Sequence, residues 1–407
     1  MKMRYLIPRV RGIIIMPAKS IAISIILVLS LSMLNPVNAD EIEGERAEES
    51  VLNCDGIESL EFNGLTANES VSFQVGLGPM LPGSNASSAL LDSFMENNTA
   101  WNWTLDKHPY LDTNLTNLQG VYKPVSNETD LPVVVLAAHY DSRDRAERDD
   151  DENRTDEPIP GANDGASGVA VLSELARIVP TLGLEHEVWI LLTDAEDQGV
   201  VPQMLGAKAW AQDRTQEEID SIHAFLLVDM IGDADLQINR VYPPKVGLSE
   251  TDRLWDAVDG LASSLGLVKD VAACDGSLGI DIVNTDVLDG VIDDHVPMLE
   301  VGIPAIDLID IRFGPNATKW GGYWHTHEDT PDKVSAESLA HVGNILELGL
   351  RQGSWLMDEN ETLNEDIEEE NKQQSELSIV YPIIAFTFIG TVLLIFGILH
   401  GSVRFKR

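Results

Sequence analysis

The sequence predicts an α/β domain of three layers, with helices on both faces of a mostly parallel, mixed central sheet. Four continuous apolar runs of strand length recur along the chain, the pattern of strands buried on both faces. Segments with helical periodicity separate them. Each run leads into a residue able to bind a metal or move a proton, and ligands in such sheets gather beyond the carboxyl ends of the strands.

In chain order, Lys2, Arg4, Arg9, Arg11 and Lys19 precede an apolar run without a single acid among them, and Val37-Asn38-Ala39 offers a small-residue cleavage site. Residues 1–39 therefore read as a signal peptide, with an uncleaved N-terminal anchor as the alternative; either exports the chain. Residues 40–50 are an acidic linker, and residues 51–356 are long enough for one large catalytic domain.

Within that domain Val133 to Ala138 runs into His139-Tyr140-Asp141. After Gly165 a helical stripe places Val169, Leu172, Ala176 and Val179 on one face. The strand Glu187 to Thr193 leads into Asp194-Ala195-Glu196-Asp197, and His223 to Val228 into Asp229. Helical patterns follow at Leu254 to Leu265 and Ser335 to Trp355, with the run Pro304 to Ile311 and the loop Tyr323-Trp324-His325-Thr326 between them.

Residues 357–376 are acid-rich and almost free of large apolar groups, so they read as a solvated stalk. Residues 377–399 carry no charge, and at about 1.5 Å per residue a helix there would cover roughly 33 Å, enough to cross a bilayer. Arg404, Lys406 and Arg407 in the tail 400–407 place that end in the cytoplasm and the catalytic domain on the extracellular face of the cell membrane.

A formal net charge of −40 excludes nucleic acid as a partner, because a polyanion would be repelled. Such acidity suits a salty medium or a crowded cell surface. Cys54 and Cys274 could pair in an oxidising compartment or persist as buried free thiols, and sequence alone does not separate the two. Sequons at Asn68, Asn85, Asn97, Asn102, Asn114, Asn127, Asn153, Asn316 and Asn360 fit an exported glycoprotein.

His139 and Asp141 lie two apart at a strand end, where Asp141 is placed to orient the imidazole. Asp164 sits in Gly161-Ala162-Asn163-Asp164-Gly165-Ala166-Ser167-Gly168. It is either the N-cap of the following helix or a metal ligand around which small residues let backbone pack closely. Adjacent Glu196 and Asp197 repel unless a cation or proton divides their roles, one binding metal and the other moving a proton. Asp229 ends an apolar strand, where a carboxylate is expensive without a partner. With His325, these donors lack thiolate and suit catalytic zinc with open coordination positions.

These segments, with Gly78-Pro79-Met80-Leu81-Pro82-Gly83-Ser84, Asp293-Asp294-His295 and Asp329-Thr330, occur in an order that resembles zinc metallopeptidase family twenty-eight, which includes aminopeptidases and glutaminyl cyclases. The resemblance implies a zinc exopeptidase-like fold and one or two zinc ions. Asp164 would bridge two positions, with Asp197 and His325 completing one and His139 and Asp229 the other. Glu196 would be the general acid/base and Asp141 the partner of His139. The peptidases usually place Glu where Asp197 stands. Asp-Ala-Glu-Asp is instead similar to bacterial-type glutaminyl-peptide cyclotransferases, in which Asp164, Asp197 and His325 would hold a single zinc. Asp229 and Asp294 would then relay protons, and Trp324 would line the substrate pocket.

Three functions follow. In the favoured one, an N-terminal glutamine cyclises to pyroglutamate and releases ammonia. In the second, an aminopeptidase removes the first residue of a peptide. In the third, the module is a receptor-like scaffold without catalysis, which the complete ligand set disfavours.

Overall fold

The computed structural model describes residues 52–126, 130–199, 203–242 and 249–357. Among these, no helix is long and apolar enough to cross a membrane. The expected signal peptide 1–39, the linker 40–50, the span 377–399, the tail 400–407 and all of the stalk except Met357 lie outside the described residues, as do Asn127 and Asn360.

The chain enters through two helices, α1 (Gly64–Leu77) and α2 (Asn85–Asn97). The Asn63 side chain caps the first by accepting from the Leu65 and Thr66 amides, and Ser84 caps the second. A hairpin follows, β1 (Asn102–Tyr110) and β2 (Thr113–Tyr122), then β3 (Val133–His139), α3 (Ala166–Ile178), β4 (Glu187–Thr193), α4 (Leu205–Gln212) and α5 (Gln216–Ser221). The remainder is β5 (Ile222–Asp229), β6 (Ile238–Val241), α6 (Ser249–Ser264), β7 (Val283–Asp289), α7 (His295–Val301), β8 (Ala305–Ile309) and α8 (Ala336–Gln352).

The main sheet has the order β1-β2-β4-β3-β5-β8. Its β4-β3-β5-β8 portion is parallel, and the β1-β2 hairpin adds an antiparallel edge through β2 and β4. Strands β6 and β7 form a separate parallel pair.

Alternation along the buried strands produces the three layers. Val134, Leu136 and Ala138 of β3 face one core with Val169, Leu172, Leu254, Val258, Leu339 and Val342. Val133, Val135 and Ala137 face the other, with Trp189, Trp210, Phe225 and Met298. Helices α1, α3, α6 and α8 thus cover one face, and α4 and α7 the other.

The strand order also fixes where a crevice opens. From β3 the chain moves to β4 on one flank, whereas from β5 it moves on to β8 on the opposite flank. Neighbouring strands whose continuations diverge leave a gap beyond their carboxyl ends. His139 and Asp229, the last residues of β3 and β5, stand at that gap. At the opposite end of the sheet, the Met357 amide donates to His223 Nδ1 at 3.1 Å, and Arg253 donates to the Ser354 and Leu356 carbonyls.

Cys54 and Cys274, left open by the sequence, are joined as a disulfide across 220 positions.

Candidate metal centre and active-site cavity

His139 is carried out of the sheet by β3 and Asp229 by β5, and His139 Nε2 lies 3.0 Å from Asp229 Oδ1. The same nitrogen is 3.3 Å from Asp164 Oδ1. The other Asp164 oxygen lies 3.5 Å from His325 Nε2, which is itself 3.2 Å from Asp197 Oδ2. Two clusters result, His139-Asp164-Asp229 and Asp164-Asp197-His325, every member buried and Asp164 shared. Asp164 does not cap α3. Gly165 occupies that position at φ 94°, without a side-chain cap bond, and its missing side chain leaves room for the His139 ring.

The donors fit a divalent metal. Among the described residues, Asp164 Oδ2 and Asp197 Oδ2 are buried without a hydrogen-bond partner, an arrangement costly to keep unless a cation compensates it. Tetrahedral zinc with bonds of about 2.0–2.2 Å separates its ligand atoms by about 3.3–3.6 Å. The four histidine–carboxylate separations in the clusters, 3.0 to 3.5 Å, lie in or just below that range. Nitrogen and carboxylate oxygen without thiolate is the donor chemistry of catalytic zinc.

The loop carrying Glu196 and Asp197 is held from beneath. Asp141 accepts from the Glu196 amide at 3.0 Å, the Asp197 amide at 3.1 Å and Gln198 Nε2 at 2.9 Å. Its carboxylate stands 3.7 Å from His139 Nδ1, too far for a hydrogen bond. Asp141 therefore positions the Glu196-Asp197 turn more directly than it orients the imidazole. Arg143, fully buried, donates to the Asp197 carbonyl at 2.9 Å and to Asp197 Oδ1 at 3.2 Å. The same guanidinium binds Glu147, whose Oε1 lies 2.8 Å from His325 Nδ1. A carboxylate on the far nitrogen of a ligand histidine fixes ring and tautomer, and Glu147 does this for His325. Sequence reading met Arg143 only as the end of His139-Tyr140-Asp141-Ser142-Arg143, without a role, and did not single out Glu147, because nothing local to residues 143–147 signals a partner near residue 325.

Backbone strain gathers in the same place. Ala195, Met230, Trp320 and His325 adopt φ between 49° and 56°, a region that side-chain-bearing residues avoid. Each lies in the site or next to a site residue.

The cavity above the clusters holds about 360 Å³ and is lined by Glu196, Asp293, Met230, Ile292, Trp320, Trp324 and Arg148 together with the ligand carboxylates. Trp324 stacks on the His325 ring at 3.7 Å between centroids, and Trp320 packs against Trp324 at 4.9 Å. Asp293 reaches the cavity; Asp294, expected as the relay residue, is fully buried and accepts a short hydrogen bond from Thr193 Oγ1. Nothing in the segment Asp293-Asp294-His295 distinguishes the two acids, since α7 begins there and one residue rotates a side chain by a large part of a turn.

Burial, with Asp293 and Asp197 nearby, pushes the Glu196 carboxyl well above the usual carboxylate range. Burial likewise raises Asp197 to about 7, against hydrogen bonding from His325, and raises Asp293 well above its ordinary value, reinforced by Asp229 and Asp294. For His325 burial opposes the charged ring, but Asp197 and Glu147 overcome it and lift the imidazole to about 9. So many buried acids around one pocket need cations or shared protons.

Residues 117–348 match the family model described as Peptidase family M28. Aminopeptidase YwaD of Bacillus subtilis (strain 168) is 24% identical over 244 residues, which cover 60% of this chain and 46% of that relative, about half its length. A glutaminyl-peptide cyclotransferase of Boiga dendrophila is 25% identical over 276 residues, covering 60% of this chain and 67% of the other. Among solved structures, the Bacteroides thetaiotaomicron glutaminyl cyclase bound to N-acetylhistamine superposes with a TM-score of 0.59 at 25% identity, covering 72% of this chain and 98% of that one. A leucine aminopeptidase precursor from Bacteroides thetaiotaomicron VPI-5482 gives 0.58 at 27% identity, covering 74% and 99%.

Proposed function

Because the chain belongs to Peptidase family M28, we propose that it is a zinc-dependent enzyme acting on the free N-terminus of peptides, cyclising an N-terminal glutamine to pyroglutamate. The observation that carries this reading is the meeting of His139, Asp164, Asp197, Asp229 and His325 in two clusters beneath a cavity that Glu196 lines.

Asp164, Asp197 and His325 would hold the ion, and zinc bound there supplies Lewis-acid polarisation of an amide carbonyl. Glu196 manages the protons. It accepts one as the substrate's α-amine forms its bond to the side-chain amide carbon, and returns one as the carbon–nitrogen bond breaks and ammonia departs. A carboxyl raised out of its usual range is suited to both halves of that exchange. Asp293 shares the cavity with Glu196 and belongs to neither cluster, and Asp229 completes the carboxylate wall on which the amine can dock. Trp324, stacked on His325, lines the cavity in which the glutamine stem would lie.

The segments Asp194-Ala195-Glu196-Asp197 and Trp324-His325-Thr326 support the cyclase. A zinc aminopeptidase is the second reading. The intact His139-Asp164-Asp229 cluster favours it, since it offers a second metal position, and Glu196 would then take a proton from the attacking water.

Incubating the zinc-loaded protein with one glutaminyl and one leucyl peptide, followed by mass spectrometry, separates the readings. Loss of ammonia without shortening supports the cyclase, removal of the first residue supports the aminopeptidase, and no change in either peptide overturns both. We also read the enzyme as exported and anchored through residues 377–399, on the strength of the two terminal apolar segments. Surface protease treatment of intact cells that left the protein untouched would overturn that placement.

A further inference from the structure

The cavity wall is dominated by carboxylates, Asp164, Glu196, Asp197, Asp229 and Asp293, yet one guanidinium, that of Arg148, stands at its exposed rim. The chain has 67 acids against 27 lysines and arginines, yet among the described residues no acid pairs with Arg148. Its sequence neighbours Arg143, Arg145 and Arg154 each hold a carboxylate. The acids flanking Arg148 are engaged elsewhere, Glu147 with Arg143 and His325, and Asp149 with His327. What Arg148 does touch is aromatic. Its guanidinium lies over the Trp324 ring at 4.4 Å from the centroid, and its amide donates to the His325 carbonyl at 3.3 Å. Stacking of this kind steadies the planar group while leaving its edge N–H donors free, and that edge fits a carboxylate in bidentate fashion.

We propose that Arg148 is a specificity-determining residue that pairs with a carboxylate at the second residue of the bound peptide. The inference rests on the N-terminal reading above: with the amine held among the acids on the floor, the second residue falls toward the rim. Two sources could supply that carboxylate, the free C-terminus of a dipeptide or an acidic side chain at the second position. Both complement a site that is negative at its base and positive at its edge.

The test uses the zinc-loaded protein and four peptides that share the same first residue, glutamine or leucine according to which is turned over: X-Ala, X-Ala-amide, X-Glu-amide and X-Gln-amide. We expect kcat/KM to favour the carboxylate member of at least one pair by about tenfold, the scale of a charge-assisted contact that water partly screens. Which pair shows it identifies the source. Arg148→Gln should bring that ratio close to one, Arg148→Lys should restore part of it, and rising salt should shrink it in the wild type. Ratios near one in both wild-type pairs, or a preference that survives in Arg148→Gln, would overturn the proposal while leaving the N-terminal reading intact. Failure of the wild type to turn over any of the four would overturn that reading and the inference with it.

Discussion

Asp164 divides its two oxygens between His139 and His325, and around it each side chain's role is set by what holds it. Glu196 belongs to neither cluster, so Glu196→Gln should remove the proton carrier and leave the clusters intact. We expect turnover to fall by at least about 100-fold with zinc content unchanged by elemental analysis; near-normal turnover would exclude the role. His325→Ala removes one member of the Asp164-Asp197-His325 cluster and should lower zinc content after dialysis. Asp141→Asn should weaken the acceptor beneath the Glu196 and Asp197 amides, lowering metal affinity or activity by about 10–100-fold as support of a ligand does. His139, Asp164, Asp197, Asp229 and His325 could be picked out in the sequence because each follows a strand or a glycine-rich turn. Arg143 and Glu147 could not, since their contacts join segments that only the fold makes neighbours.

Among the elements, α3 must lie close to the sheet for Asp164 to reach both histidines. Gly168 makes this possible, for a Cβ there would collide with the Val228 carbonyl and come within 3.0 Å of Ala138 Cβ. Gly168→Val should therefore push α3 off β3 and β5, costing about 1–3 kcal/mol in denaturant unfolding and reducing turnover as well. An unchanged unfolding midpoint would show that the helix has slack to spare. The strands β3, β4, β5 and β8 were legible because burial on both faces leaves them almost purely apolar. The β1-β2 hairpin was not: β1 reads Asn-Trp-Thr-Leu-Asp-Lys-His-Pro-Tyr, largely solvated at the sheet edge, and carries no run that composition would flag. Helix α1 escaped for a related reason, since its apolar residues are not confined to one face and its burial comes from contact with α3 and α8.

Across the whole molecule, the Cys54–Cys274 disulfide ties the first described residues to the segment before β7. Such a long closed loop removes much freedom from the unfolded chain, so Cys54→Ser with Cys274→Ser should lower stability by about 2–5 kcal/mol in reversible unfolding. Acid should also weaken the fold. Burial depresses His186 to about 4, so between its unfolded value near 6.5 and that pH the unfolded chain binds a proton that the native one refuses. Stability is thus lost as pH falls through that window, by at most about 1.4 kcal/mol per pH unit from this group. His186→Leu should reduce the difference in urea midpoint between pH 7 and pH 4.5, and an identical difference in variant and wild type would remove His186 as the cause.

The hydrogen bond from the Met357 amide to His223 fixes the last described residue against β5. His223 is the second residue of β5, whereas the catalytic groups crown its far end. Met357 thus stands at the end of the sheet opposite the cavity. A fusion partner, resin or lipid surface attached there would leave incoming peptides an unobstructed approach.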